Sequence, residues 1–241
     1  MTPTEVLLRP AEQDDLDELL SLLQVTRREA EPLMPALARS PVEVREFLGS
    51  RIALGEVWVA VDEVLVGFVL VTDDWLHSMY VGPAHQGLGI GTMLLDLVKS
   101  LCPNGFGLWV FASNTPARGF YARHGLIELE RTDGTANEER SPDVRMVWAG
   151  QQPVAGLRRW IDEVDDDLAL LLARRFALTA AVQAEKQRLG TPSGHHGRDP
   201  EREREIVARM TRHSPGLEVE RVARVMSVVI SESIDQWAER A

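Results

Sequence analysis

The stretch "ALLLARRFALTAAVQAEKQR", residues 169–188, decides how the second half of this chain is read. At about 100° per residue, a helix comes back to within roughly 20° of its starting direction between Arg175 and Lys186. The two cations therefore share one face. Leu157, Val164, Leu168, Leu171, Val182 and Leu189 lie on that face as well. An apolar stripe of this kind is where a helix normally meets its core. Two cations on it, with no carboxylate at its centre, need an anion from elsewhere.

Outward from that stretch, residues 157–189 form one helical pattern, about 50 Å long if continuous. The loop "TPSGHHG" (191–197) follows, then a second helix over 198–210 and a third over 217–239, separated at "SPG" (214–216). His195 and His196 read as loop residues, and no metal site is expected. A helix of this length cannot cover its stripe inside a small three-helix unit. Either it bends back or a second copy of the chain packs against it, and an oligomer is expected.

Before residue 150 the period changes. "VWVAVD" (57–62), "LVGFVLVT" (65–72), "LHSMYV" (76–81), "LWVFA" (108–112) and "VRMVW" (144–148) read as strands. Residues 14–23, 91–101 and 116–124 read as helices. "AGQQPVAG" (149–156) reads as a short linker. The layout is an α+β domain over residues 1–150, a mixed sheet flanked by helices, followed by an all-α domain over 154–241.

Composition limits the possible partners. Net charge is −11, concentrated in residues 1–150, which hold 12 Lys+Arg against 22 Asp+Glu. That acidity argues against nucleic acid. The second half packs many arginines into a short stretch, which suits a small anionic ligand. The single Cys102 excludes an internal disulfide framework and reads as a buried small residue. No apolar run is long enough to span a membrane and no leader pattern is visible, so a cytoplasmic protein is expected.

"YVGPAHQGLGIGTMLL" (80–95) places a Gly-rich turn between a strand and a helix. Gly87, Gly89 and Gly91 let backbone N–H groups approach a ligand, and the helix N-terminus behind them favours an anion. Alone this is a dinucleotide-type loop or a tight turn. With Gln86, however, the pattern resembles motif A of the GNAT acetyltransferase superfamily. "NTPARGFYARHGL" (114–126) resembles the same superfamily's Asn-x-x-Ala-x-x-Phe-Tyr-x-x-x-Gly-Phe segment, with Leu126 in place of Phe.

The resemblance implies acetyl-CoA as cosubstrate. Gln86, Gly87, Leu88, Gly89, Ile90, Gly91 and Thr92 would cradle the pyrophosphate. The strand carrying Met79 and Val81 would pair with the pantetheine arm, and Asn114 would contact it. Tyr121 would protonate the leaving thiolate, and the acceptor would be an unidentified amine. His77 is the nearest candidate base, because its reference pKa suits that role; Asp73, Asp74 and Glu56 are no better.

In the helical half, Asp199–Pro200 is an N-cap and N1 signature. Arg202 and Glu203 follow one turn on. Arg158 lies about 100° around the helix from Arg175, so on spacing alone it is an exposed arginine. Ser233 shares a stripe with Val222, Met226, Val229 and Trp237, where a serine could bond back to a carbonyl or reach a pocket. Together, "LRRWIDEVDDDLALLLARRFALTAAVQAEKQ" (157–187), "GRDPERE" (197–203) and the serine-bearing last helix resemble the all-helical AroQ class of chorismate mutases.

That resemblance implies an intertwined helical homodimer whose first helices cross, and chorismate as the missing anion, with no cofactor. Arg175 and the partner copy's equivalent of Arg158 would hold the carboxylates. Lys186 would donate to the breaking ether oxygen. Glu203 with Asp199 would bind the ring-hydroxyl side, Arg202 would order the pocket, and Ser233 would line it. Trp237 stands where the family often has Gln or Glu, with Gln236 one step early. An isochorismate pyruvate-lyase on the same scaffold, a non-catalytic dimerisation module and a CoA-binding sensor are the competing expectations.

Overall fold

The computed structural model describes residues 6–31, 33–190, 198–213 and 216–239. His195 and His196, with the rest of 191–197, lie outside them. The chain divides into two compact units, Met1–Arg158 and Arg159–Ala241.

The first unit is a seven-stranded sheet in the order β1-β2-β3-β4-β5-β7-β6. The strands are β1 Leu7–Pro10, β2 Val57–Asp62, β3 Val64–Thr72, β4 Trp75–Val81, β5 Phe106–Phe111, β6 Ile127–Arg131 and β7 Asp143–Trp148. The helices are α1 Leu16–Glu29, α2 Pro41–Ala53, α3 Ile90–Leu101 and α4 Thr115–Arg123. Every pairing is antiparallel except β4 with β5. β3 is an interior strand, buried at every residue from Leu65 to Val71. One core gathers Leu94, Leu95 and Val98 of α3 with Phe106, Leu108 and Met146 of the sheet. The other gathers Leu19, Leu23, Leu48 and Ile52 of α1 and α2 with Val57, Val59 and Phe68. Burial of apolar area on both faces drives this layering.

Three elements escape the sequence reading. β1 is four residues long with only its two end residues outward, too short for a period-2 signal. β6 is "IELER", exposed at every position, as an edge strand carrying charges can be. α2 has little amphipathic contrast, but its start is written in "SPVE": Ser40 accepts from Glu43 N, and the Glu43 side chain accepts from Ser40 N at 2.7 Å.

Cys102 is buried, donates to the Asp73 carbonyl at 3.2 Å, and is pushed up in pKa by burial first and then by Asp74 and Asp73. It is the inert core residue expected.

The second unit contains most of α5 (Pro153–Arg188), with α6 (Pro200–His213) and α7 (Val219–Ala238). α5 begins inside the segment read as linker. Pro153 presets the first helical φ, and Gly156 lets the new helix lie against the Ala149 carbonyl, where a Cβ would come within 1.9 Å. α5 is one continuous helix of 36 residues, about 54 Å at 1.5 Å per residue. Val222, Met226 and Ile230 of α7 form a small core with Ile206 and Val207 of α6. No helix of the described residues is long and apolar enough to cross a membrane, and none of their His, Cys, Asp and Glu side chains cluster as metal ligands.

Candidate functional site

In the first unit a cavity of about 1160 Å³ opens where β4 and β5 part. The two strands pair in parallel at Trp75–Gly107 and are not matched beyond that pair. Only glycine fits at 107, since a Cβ there would meet the Trp75 ring at 2.4 Å. Between the Leu70–Ser78 and Val71–Leu76 partners, β4 carries one extra residue, His77, so β4 bulges here. The inner edge of β4, including Met79 and Val81, is left free to accept an extended ligand as an added strand.

α3 closes one end of the cavity. Gly87 and Gly89 have φ of 76° and 89°, and a Cβ on either would meet nothing within 4 Å. Their conformation requires glycine, and the space above them is open to a ligand. The first-turn N–H groups of Ile90, Gly91 and Thr92 have no intrahelical acceptor. Ile90 itself is a core residue, so it offers backbone only, and Leu88 is exposed. Gln86 is held by donating to the Val81 carbonyl at 3.1 Å. Asn114 caps α4 by accepting from Ala117 N at 3.2 Å.

Thr92 Oγ1 meets His124 Nε2 at 3.1 Å, a contact that spacing alone could not reveal. His124 Nδ1 lies 2.9 Å from the Phe120 carbonyl, which can only accept. Nδ1 therefore donates to Phe120, and in that tautomer Nε2 accepts from Thr92.

Tyr121 is buried at 7% exposure and lines the cavity. Burial, with a lesser contribution from Tyr80, pushes its phenol well above the usual range. It stays protonated at neutral pH and presents its O–H to the cavity as a hydrogen-bond donor. His77 also lines the cavity, and burial, then Arg51, lowers its pKa, opposed by Glu56. The shift favours the neutral imidazole.

In the second unit Arg175 Nη1 donates to Ser233 Oγ at 3.0 Å and to the Val229 carbonyl at 3.3 Å. Burial lowers its pKa and no carboxylate opposes that. Ser233 is 2% exposed and donates in turn to the Ile230 carbonyl at 2.9 Å. It bonds back to a carbonyl, as expected of a serine there, and accepts from Arg175. Lys186, partly buried, has no hydrogen-bond or ion-pair partner among the described residues. Arg158 is exposed and likewise unpartnered among them.

Asp199 caps α6, its Oδ1 accepting from Glu201 N and Arg202 N, both at 3.1 Å. Arg202 pairs with Glu205 at 2.8 Å on the exposed side. Glu203 is gripped by a residue the sequence reading passed over. Arg198 Nε and Nη2 fork onto its two carboxylate oxygens at 2.7 and 2.6 Å. The same guanidinium donates to Ser231 at 2.8 Å and Ser227 at 3.2 Å. The side-chain bond to Arg198 holds the Glu203 carboxyl below the usual carboxylate range. The signal for this clamp was present: serines four apart on α7, opposite a loop arginine. On α7, Ser233 and the Ser227–Ser231 pair lie on opposite flanks of Ile230 at about 100° per residue. Arg175 thus reaches one flank and the Arg198–Glu203 pair the other.

Residues 157–237 match the family profile of chorismate mutase type II, and residues 19–126 that of the acetyltransferase (GNAT) family. The peptidyl-lysine N-acetyltransferase YjaB of Salmonella typhimurium is 31% identical over 115 residues, 46% of this chain and 79% of that protein. YjaB of Escherichia coli is 26% identical over 132 residues, 53% of this chain and 86% of that protein. Among solved structures, a GNAT-family acetyltransferase from Bacillus cereus superposes with a TM-score of 0.50 at 15% identity, covering 61% of this chain and 99% of that one. That last likeness concerns the fold.

Proposed function

The chain belongs to the GNAT acetyltransferase family and carries a chorismate mutase type II domain behind that fold; from this we propose a bifunctional enzyme with acetyl-CoA as cosubstrate of residues 1–150 and chorismate as substrate of residues 154–241. Arg175 carries the second assignment: a part-buried cation with no carboxylate, on a face shared with Lys186. Chorismate, a dicarboxylate, supplies that anion.

Its rearrangement to prephenate is an intramolecular [3,3] shift. The chain's task is to hold the bent conformer and to place donors where charge develops. Arg175 holds one carboxylate with its guanidinium fork. Lys186 donates to the breaking ether oxygen. Glu203, with Asp199 at the α6 N-terminus, accepts from the ring hydroxyl. Ser233 fixes Arg175 against α7, and Arg202 stands at the rim of the pocket. Arg158 serves the site of a second copy. The dimer reading is supported by α5, whose residues 161–170 are all exposed, with Ile161, Val164 and Leu168 on one face at 48–59%. Such a stripe on a continuous helix suits another copy of itself.

In the GNAT fold, the N–H groups of residues 87–92 hold the pyrophosphate of acetyl-CoA, with Gln86 fixing the loop. Met79, Val81 and Asn114 line the pantetheine path. The acceptor amine attacks the thioester carbonyl, the C–S bond breaks, and Tyr121 protonates the thiolate.

Purified protein given chorismate, with products separated chromatographically, tests the mutase assignment: prephenate supports it. Pyruvate released from isochorismate without prephenate moves the site to a lyase, and turnover of neither makes the helices a dimerisation module.

A further inference from the structure

We infer that the acceptor of acetyl transfer is a small amine bearing a carboxylate close to its nitrogen, a free amino acid, and that Arg27 is the residue that binds its carboxylate. The inference rests on the acetyltransferase reading and concerns the same cavity.

Arg27 stands in the last turn of α1 and lines the cavity. Its Nη1 donates to the Tyr80 hydroxyl at 3.2 Å and its Nη2 to the Pro35 carbonyl at 2.5 Å. Its guanidinium carbon lies 6.0 Å from the Phe111 ring centroid. All of these partners are neutral. Among the described residues no carboxylate lies within ion-pair distance of Arg27. The cavity's other carboxylates are committed or apart: Glu138 is forked onto Arg39 at 2.9 and 2.7 Å, and Asp143 accepts from Thr132 and Asn137. Glu29 is exposed, and Glu139 is half-buried with its charge acting on Arg39.

A second observation sits beside it. Thr26, 7% exposed and also lining the cavity, has a buried hydroxyl with no hydrogen-bond partner. Buried hydroxyls are normally satisfied. Thr26 directly precedes Arg27 on α1, so a hydroxyl left unsatisfied and a guanidinium without a carboxylate fall in the same helical turn.

The position fits the chemistry. The Tyr80 phenol accepts from Arg27 and is near enough to Tyr121 to oppose its ionisation. Arg27, Tyr80 and Tyr121 line the same cavity. In an α-amino acid the amine and carboxylate are separated by a single carbon. A lysine amine on a polypeptide brings no anion and would leave Arg27 unmatched in a partly desolvated cavity, which costs selectivity against it. In the transfer itself the amine lone pair forms the C–N bond, the C–S bond breaks, the amine loses one proton to solvent and the thiolate takes one from Tyr121. Arg27 holds the carboxylate and takes no part in bond-making.

The test compares the twenty L-amino acids with their C-terminal amides and with an N-acetylated lysine peptide, using acetyl-CoA consumption by the full-length protein. The expected result is an acid preferred over its own amide by roughly 10- to 100-fold in kcat/KM, the worth of a charge-assisted bond pair. Arg27→Gln then raises KM for the acid by a similar factor, leaves KM for the amide within about 2-fold, and leaves acetyl-CoA binding intact. Arg27→Lys recovers part of the loss. Equal use of acids and amides, or preference for the lysine peptide, overturns the inference and leaves the acetyltransferase standing. Acetyl-CoA that binds but is never consumed overturns the acceptor class. Protein that does not bind acetyl-CoA overturns the reading beneath it.

Discussion

The guanidinium of Arg198 grips both carboxylate oxygens of Glu203 at 2.7 and 2.6 Å while reaching Ser227 and Ser231 on α7. This single side chain ties the start of α6 to the middle of α7 and fixes where the Glu203 carboxylate stands. Arg198→Met should release it. The Glu203 carboxyl sits below its ordinary pKa because of Arg198. Its contribution to stability is therefore present above the unfolded-state value of about 4.3 and is lost as pH falls through the lower folded value. Arg198→Met should lower stability by about 1–2 kcal/mol near neutrality and flatten the acid side of the Tm–pH curve. The acid limb of chorismate turnover should move to higher pH. Urea melts and rate–pH profiles of the two proteins check this.

Arg175→Ala removes the donor that Ser233 accepts from and should remove the proposed carboxylate ligand. Lys186→Ala, which takes away the donor proposed for the ether oxygen, should cost on the order of 10²–10³ in kcat. Both variants should keep wild-type affinity for acetyl-CoA, measured by calorimetry. Chorismate turnover that survives both substitutions would contradict the assignment of the site.

Tyr121→Phe should lower kcat for acetyl transfer by about 10²-fold, within the range for a lost general acid, with little change in KM for acetyl-CoA. Since burial keeps the Tyr121 phenol above its ordinary range, its protonated form is present throughout pH 6–9. Wild-type activity should show no alkaline loss there from this group, as initial rates across that interval will report.

Leu168 is 48% exposed and Leu171 56% exposed on the unpartnered stripe of α5. Leu168→Glu with Leu171→Glu should give a monomer on sedimentation, because burying two unpaired carboxylates in a helix–helix interface is costly. The variant should lose chorismate turnover while acetyl-CoA binding persists.

The α5 stripe was legible because it repeats: Arg175 and Lys186 share a face by helical arithmetic, and the burial and bonds of Arg175 agree with a cation awaiting an anion. The glycine turn was legible because Gly87 and Gly89 adopt left-handed φ that other residues avoid. What stayed hidden depends on contacts between residues far apart in the chain. Arg198 meets Ser231 only once α6 docks on α7. Thr92 meets His124 only once α3 and α4 lie together. Arg27 enters the cavity only because α1 lies against β4 with Tyr80 beneath it. Asp199 was legible as a cap, and that bond is present; its further role toward a ligand is a matter of what binds.

The central claim is that the helical half rearranges chorismate in a site completed by a second copy of the chain. Mixing Arg158→Ala with Arg175→Ala, each inactive alone, tests it most directly. A heterodimer of the two contains one site with both arginines intact and one with neither. Random pairing should therefore restore about a quarter of wild-type chorismate turnover per chain, with prephenate as the product. Mixed protein that forms dimers yet stays as inactive as its parents would contradict the shared site.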